Sequence, residues 1–146
     1  MVAERPYSLA VLVTGSRHWT EQEPVRAMLL GLGPDVVVHG DALGADQIAS
    51  LLCHGLQLSQ LPMRARWKLY GKSAGPRRNR EMLQVLSALK ACGWETRIDA
   101  FPMPDSVGTY HMMDLARRQG FAVYNHGHQR GSAVTEGTAG LPGLDQ

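Results

Sequence analysis

Short apolar runs that alternate with helix-like segments constrain the fold of this chain more than any other feature. Leu9–Val13 and Val36–Val38 are continuous in apolar residues, as strands buried on both faces are. The alternation continues, and we expect further strands near residues 56–63, 96–101 and 121–124. Strands that alternate with helices along the chain predict an α/β fold, with a mostly parallel sheet of about five strands and helices on both faces.

The length of 146 residues fits one domain with a core of normal size. The alternation of strands and helices ends near residue 125, so we expect a single domain over residues 1–125. The remaining segment, 126–146, is rich in glycine, histidine and serine and shows no periodicity. It predicts an irregular, loose C-terminal tail.

The chain carries no apolar run of membrane-spanning length, and its first run is too short for a signal-peptide core. Cys53 and Cys92 lack metal-like spacing and predict reduced thiols within the core. These features favour a cytoplasmic protein that does not enter membranes. His126 and His128 have no third ligand nearby in sequence, so we expect no metal site, and no motif indicates a resident cofactor.

A basic segment is the strongest functional signal. Seven of the fifteen lysines and arginines fall between residues 64 and 80, a stretch without acidic residues. Pro76 suits the first turn of a helix, which places Arg77, Arg78 and Arg80 at a helix N-terminus. That end already carries partial positive charge, so cations there cost stability unless an anion binds. The segment therefore predicts a phosphate site completed by the free amides of the first turn.

Loops at the carboxyl ends of parallel strands are where ligands bind in such sheets. Glycines there let the backbone approach a ligand, Asp41 offers a carboxylate to ribose or base, and arginines offer cations. The candidate ligand-binding residues are Gly15, Ser16, Arg17, Gly40, Asp41, Gly44, Trp67, Arg78, Asn79, Gly108 and Thr109.

Several of these residues have an equally simple structural interpretation. Gly15-Ser16-Arg17 also suits an ordinary strand-to-helix turn, and Gly108-Thr109 also suits a helix start. Trp67 is as well suited to anchoring the basic loop to the core as to stacking on a base. Asp46 is expected to cap the helix in whose first turn it lies, and Met82 is expected to lie in the core.

Four motifs together resemble the SLOG superfamily, and more narrowly its YspA/YpsA-related branch. They are VTGSRHWT, HGDALGADQIA, the pattern W-K-x-x-G-K-x-A-G-P-x-R-N-x-x-M from Trp67 to Met82, and a late Gly-Thr pair. The resemblance runs from about Leu9 to Asn125. It implies a doubly wound Rossmann-like sheet with strand order 3-2-1-4-5 and a nucleotide-type ligand between the first-strand and fourth-strand loops. Because the related LOG phosphoribohydrolases associate as dimers, it also implies a homodimer.

The comparison with LOG enzymes leaves open whether this chain is an enzyme. Their R-K-x-x-M motif is similar to Arg78–Met82, with Asn79 in place of lysine. In their P-G-G-x-G-T-x-x-E motif the glutamate position is Met112 here, and methionine cannot stabilise an oxocarbenium-like state. Asp41 and Arg78 are the candidate catalytic residues.

Three functions therefore stay open after the sequence analysis. The resemblance implies binding of a small nucleotide-type molecule. One alternative is a LOG-like phosphoribohydrolase that cleaves a nucleoside 5'-monophosphate. The other is binding of single-stranded nucleic acid through residues 64–80, which the net charge of only +2 disfavours.

Overall fold

The computed structural model of the chain describes residues 4–133. The strands in this part are β1 (Leu9–Gly15), β2 (Val36–His39), β3 (Gln60–Pro62), β4 (Glu95–Phe101) and β5 (Val123–Asn125). The helices are α1 (Gln22–Leu32), α2 (Ala45–Leu56), α3 (Trp67–Tyr70), α4 (Ala74–Ala91) and α5 (Val107–Arg118), and a single 3-10 turn, Gly71–Ser73, joins α3 to α4.

The five strands form one parallel sheet in the order β3-β2-β1-β4-β5. This arrangement confirms the predicted doubly wound, Rossmann-like α/β fold. The chain reverses its direction of travel across the sheet at β1 and β4, which are paired along their whole length. A reversal of this kind opens a crevice at the carboxyl ends of the two strands.

The core has two layers because β1 is buried on both faces. Leu9, Val11 and Val13 pack against α1 and α2 on one face. Leu12 packs with side chains of α4 and α5 on the other. Each such fully buried aliphatic side chain contributes about 1.5–3 kcal/mol relative to an exposed one, so the continuous apolar run of β1 is the main anchor of the sheet.

The boundaries of some elements differ from those the sequence predicts. Helix α2 continues to Leu56 and ends at Gln57, which adopts a left-handed conformation with φ of 56°. Strand β3 is therefore shorter than the predicted 56–63. Helix α4 begins at Ala74, two residues before Pro76, and the one-turn helix α3 was not predicted.

The two cysteines lie in different environments. Cys53 is buried in the core, as expected, and burial raises the pKa of its thiol to about 11. Cys92 is exposed at the end of α4, so the expectation of a core position is wrong for this residue. Within residues 4–133, no helix combines the length and apolarity needed to cross a membrane.

The predicted loose tail begins with a segment that is tightly held. Residues 126–133 form no helix or strand. The amides of His126 and His128 nonetheless donate to the carbonyls of Ala100 and Pro102, and the His128 side chain is buried. Looseness is therefore the wrong description of this part of the tail. The rest of the tail lies outside the described residues.

Candidate functional site

In the parallel sheet the carboxyl ends of all strands lie at one edge. The starts of α1, α2, α4 and α5 lie at the same edge. Gly15 ends β1 directly beside Phe101, which ends β4. The loops that carry the candidate residues therefore meet at this edge, as the sequence predicts. The first amides of three helices are already engaged, because Ala45 donates to Ser16, Ala74 to Gly71 and Val107 to Asp105. Arginine side chains are therefore the main donors that this edge offers to an anion.

The loops after β1 and β2 are in direct backbone contact. The carbonyl of Ser16 accepts hydrogen bonds from the amides of Trp19 and Ala45, both at 3.1 Å. Gly44 has φ of +79°, and a Cβ there would overlap the Ser16 carbonyl. Glycine is thus required at position 44 by contact between the loops. The Ser16 hydroxyl is also engaged, because it accepts from the amide of His18 at 3.0 Å.

Arg78 turns away from bulk solvent and reaches the loop after β2. Its Nη1 donates to the carbonyl of Gly40 at 2.6 Å, and its Nε donates to Oδ1 of Asn79 at 3.0 Å. Nη2 has no hydrogen-bond partner within residues 4–133. Burial lowers the pKa of Arg78, and the nearby Asp46 carboxylate opposes that shift. A half-buried guanidinium with one unused nitrogen is well placed to take a phosphate oxygen.

Asp46 fixes the loop after β2 and does not cap its own helix. Its Oδ2 accepts from the amides of Gly40 at 3.0 Å and Ala42 at 3.3 Å. The expectation of a simple helix cap is therefore wrong. Oδ1 is buried and has no partner within residues 4–133. Burial raises the pKa of the carboxyl from 3.8 to about 6, against the lowering effects of the Ala42 amide, His39 and Arg78.

Asp41 is occupied by an ion pair. It adopts a left-handed conformation with φ of 52°, and its Oδ2 accepts from Nη2 of Arg64 at 2.7 Å. This pair ties the loop after β2 to the start of the basic segment. Asp41 can contact a ligand only by sharing or releasing Arg64.

The remaining candidate residues divide into exposed and buried groups. Arg17, Trp67 and Gly108 are exposed, whereas Thr109 is buried at the start of α5. No hydrogen bond in the described part of the chain joins Arg17 or Trp67 to Arg78. Trp67 is more than half exposed and is absent from the core clusters within residues 4–133, and the tip of its ring lies against Gly75 at the start of α4. Met82 is a core residue, as predicted, and Met112 is fully buried beside it.

One charged cluster was missed by the sequence analysis. Asp99 on β4 is fully buried and accepts from Nε and Nη2 of Arg97, at 2.8 and 2.7 Å, and from Nε2 of His126 at 2.6 Å. Burial raises the pKa of Asp99, but the bonds from His126 and Arg97 outweigh it and hold the pKa below its usual value. The ring of His126 also stacks on Phe101, at 4.9 Å between centroids. The cluster fastens the start of the tail to the sheet.

Surface concavity does not identify the site. Two open cavities, of about 420 and 390 Å³, lie at the opposite edge, beside Ser8 and Glu95 at the amino ends of β1 and β4. Arg5 in the larger one is already bonded to the Leu32 carbonyl and to Asp35. Because the unpaired cationic donor and the helix N-termini lie at the carboxyl edge, the chemistry favours that edge as the site.

Comparison with known proteins shows a phage relative of this chain. No family model matches the sequence. Over 127 residues the chain is 39% identical to the Gene 61 protein of Mycobacterium phage D29, a match that covers 80% of this chain and 95% of the phage protein. The similarity therefore extends over nearly the whole relative.

Proposed function

This chain belongs to the same family as the Gene 61 protein of phage D29, and we propose that it binds a nucleotide or a related phosphorylated nucleoside at the carboxyl edge of its sheet. The observation that carries this proposal is the state of Arg78. Its guanidinium is partly desolvated against the Gly40 carbonyl, and Nη2 is left without a hydrogen-bond partner in the described chain. Removing a cation from water is costly unless an anion compensates it, and the nearby Asp46 carboxylate does so only in part, since the pKa of Arg78 stays lowered.

The start of α4 supports a phosphate at this position. Its first turn contains no acidic residue, and Arg77 and Arg80 are exposed nearby. In that turn Pro76 has no amide hydrogen, and the Ala74 amide already donates to the Gly71 carbonyl. The donors offered to a phosphate are therefore the guanidinium groups of Arg77 and Arg80 and the unused nitrogen of Arg78. A phosphate would accept several of these bonds at once, each charge-assisted.

The crevice between β1 and β4 is proposed to take the nucleoside. Gly15 and Phe101 end the two strands side by side, and Gly108 lies exposed at the start of the next helix. The strand order 3-2-1-4-5 also supports our proposal that the chain is a member of the SLOG superfamily, in its YspA-related branch, since the resemblance implies that order.

The test is calorimetric titration with AMP, ADP, ATP, cyclic mononucleotides and ADP-ribose. We expect at least one of them to bind, and Arg78→Ala to weaken that binding by about 10- to 100-fold, the range for losing a charge-assisted bond. Arg118→Ala, an exposed arginine at the far end of α5, is the matched control and should bind like the wild type. A folded wild-type protein that gives no heat with any of these ligands contradicts the proposal.

The hydrolase alternative is not favoured by the structure. Met112, at the position of the LOG glutamate, is enclosed in the core, and Asp41 is paired with Arg64. Hydrolysis would need one of the other carboxylates to reach the sugar. Chromatography of AMP after incubation with the protein tests this point. Release of free adenine that is lost in Asp41→Asn would replace simple binding with the hydrolase function.

A further inference from the structure

A surface segment next to the proposed nucleotide site contains no buried residue. Every residue from 66 to 73 is exposed, and this stretch contains the whole of α3. Trp67, Leu69 and Tyr70 are 57%, 63% and 41% exposed. Exposed aromatic side chains this close together mark an interaction surface more often than an ordinary solvated one.

The two aromatic rings lie on one side of α3 and are held there by α4. Trp67 and Tyr70 are three residues apart, so they share a helix face. The tip of the Trp67 ring abuts Gly75, where a Cβ would lie 3.2 Å from its Cη2 atom. The guanidinium of Arg77 lies over the Tyr70 ring, 4.2 Å from its centroid. The rings are therefore positioned before any partner arrives.

The surroundings of the two rings are strongly basic. Arg64 is neutralised by Asp41 and Arg78 points inward, but the remaining cations of the segment are exposed, and no acidic residue occurs between residues 47 and 80. We call this surface the aromatic–basic face. It consists of Trp67 and Tyr70 with Arg66, Lys68, Lys72, Arg77 and Arg80.

We propose that the aromatic–basic face binds single-stranded nucleic acid, by stacking of bases on Trp67 and Tyr70 and by pairing of phosphates with the surrounding cations. Single-strand binding surfaces combine these two features, and stacking on an aromatic ring tolerates any base. The low net charge, which disfavoured this function on sequence grounds, is an average over the molecule, whereas the positive charge is concentrated at this face.

Two other occupants fit the face less well. A second copy of the chain in a twofold contact would bring these cations against their own equivalents, which repel. The homodimer implied by the family resemblance would therefore use another surface. A membrane would require one continuous apolar face, but Leu69 lies two residues from Trp67 and so points to a different side of the single turn.

The test is fluorescence anisotropy with a labelled 15-nucleotide oligo(dT), titrated at several salt concentrations. We expect measurable binding at low salt, with a slope of log affinity against log salt of about −2 to −3, as three or four phosphate contacts give. Trp67→Ala should weaken binding by about 10-fold or more. Leu51→Ala removes another exposed apolar residue, on α2, and should leave the affinity unchanged.

Charge variants separate this proposal from the nucleotide site. The double variant Lys68→Ala/Lys72→Ala should lose oligonucleotide binding and keep the calorimetric nucleotide response. The charge-matched variant Arg117→Ala/Arg118→Ala, at the far end of α5, should keep both. Thermal melts confirm that each variant is folded.

Five outcomes would overturn the proposal. Two concern the oligonucleotide alone: no binding at low salt, and binding that Trp67→Ala leaves intact. The third is an equal loss of binding in the two charge variants, and the fourth is a protein dimer in sedimentation that Trp67→Ala dissociates. The fifth concerns membranes. Preferential binding of anionic phosphatidylserine vesicles over the oligonucleotide, lost in Trp67→Ala, would assign the face to membranes instead.

Discussion

Two glycines of the loop after β2 are required for different reasons. A Cβ at Gly40 would meet the guanidinium of Arg78, which is the end of a flexible side chain. A Cβ at Gly44 would meet the backbone of Ser16 and Arg17, and the positive φ of Gly44 adds conformational strain. The first glycine makes room for a side chain, whereas the second allows two loops to join.

Substitution of these glycines should separate binding from stability. We expect Gly40→Ala to displace Arg78, to weaken nucleotide binding about as much as Arg78→Ala does, and to cost roughly 1 kcal/mol of stability or less. Gly44→Ala should cost about 2–4 kcal/mol, because backbone atoms would have to move. Denaturant unfolding and calorimetry measure the two effects. Equal destabilisation by the two variants would show that Arg78 is not free to move.

The sequence indicated candidate residues for a site but not the partners of those residues. Gly40, Asp41 and Arg78 were candidates from their loop and helix positions. Their contacts join Arg78 to Gly40 across 38 residues, and Asp41 to Arg64 across 23. Local sequence patterns carry no information about contacts between residues so far apart in the chain. The ion pair of Asp41 and the loop-fixing role of Asp46 therefore came only from the structure.

At the scale of elements, backbone bonds and Asp99 together fasten the segment 126–133 to the sheet. The amides of His126 and His128 donate to the carbonyls of Ala100 and Pro102, so backbone bonding continues beyond β5. The bond from His126 to Asp99 and the stacking of His126 on Phe101 add side-chain contacts to the neighbouring strand. A buried carboxylate that holds two cationic or cation-forming groups is costly to disturb.

Replacing Asp99 should destabilise the protein at neutral pH. We expect Asp99→Asn to lower the free energy of unfolding by roughly 3 kcal/mol at pH 7, because Arg97 and His126 lose their buried counter-charge. The folded pKa of Asp99 is depressed. Its stabilisation is therefore present above the unfolded value of about 3.9 and is lost as the pH falls through the folded value. The difference between variant and wild type should close under acid conditions.

Urea unfolding at several pH values measures this difference. Asp114→Asn is the control, since Asp114 is an exposed carboxylate that pairs with Arg130 and Arg117. Exposed pairs contribute about 1 kcal/mol or less. An Asp99→Asn protein as stable at pH 7 as Asp114→Asn would mean that the cluster does not hold the tail.

Helices and strands were predicted wherever their apolar periodicity was strong. Helix α3 was not predicted because it is a single turn with no buried residue. Its sequence therefore lacks the apolar periodicity by which longer helices are recognised. The sequence did contain a pattern that predicts the Asp99 cluster. In β4, Arg97 and Asp99 are two residues apart and so share one face of a strand. Two opposite charges on one face of a central strand indicate a buried pair.

For the molecule as a whole, two buried carboxylates give opposite responses to pH. Asp99 stabilises the folded state once it is ionised. Asp46 does the reverse, because its folded pKa of about 6 lies above its unfolded value of 3.8. Its cost to stability begins near pH 4, grows as the pH rises and is complete above about pH 6.

The variant Asp46→Asn should reveal this cost. Asparagine keeps an acceptor for the loop amides but removes the titration, so the pH dependence of Asp46 disappears. We expect the stability of the wild type, relative to Asp46→Asn, to fall by about 2 kcal/mol between pH 4 and pH 7. Chemical unfolding at each pH provides the comparison. A constant difference between the two proteins would show that Asp46 is already ionised throughout this range.

The topology of the molecule was only partly accessible from local sequence. Alternation of strands and helices predicts a parallel sheet, but the order of strands depends on contacts between distant segments. The order 3-2-1-4-5 was implied by the family resemblance and is confirmed by the structure. The position of the tail against β4 could not be predicted, because it depends on backbone and side-chain contacts with residues far away in the sequence.

The absence of buried side chains in α3 makes that turn a replaceable module. We therefore expect substitutions and insertions within residues 66–73 to leave the scaffold folded, so that the partner preference of this face can be changed there. A foreign peptide inserted at the 3-10 turn would be displayed outward while the sheet keeps its shape.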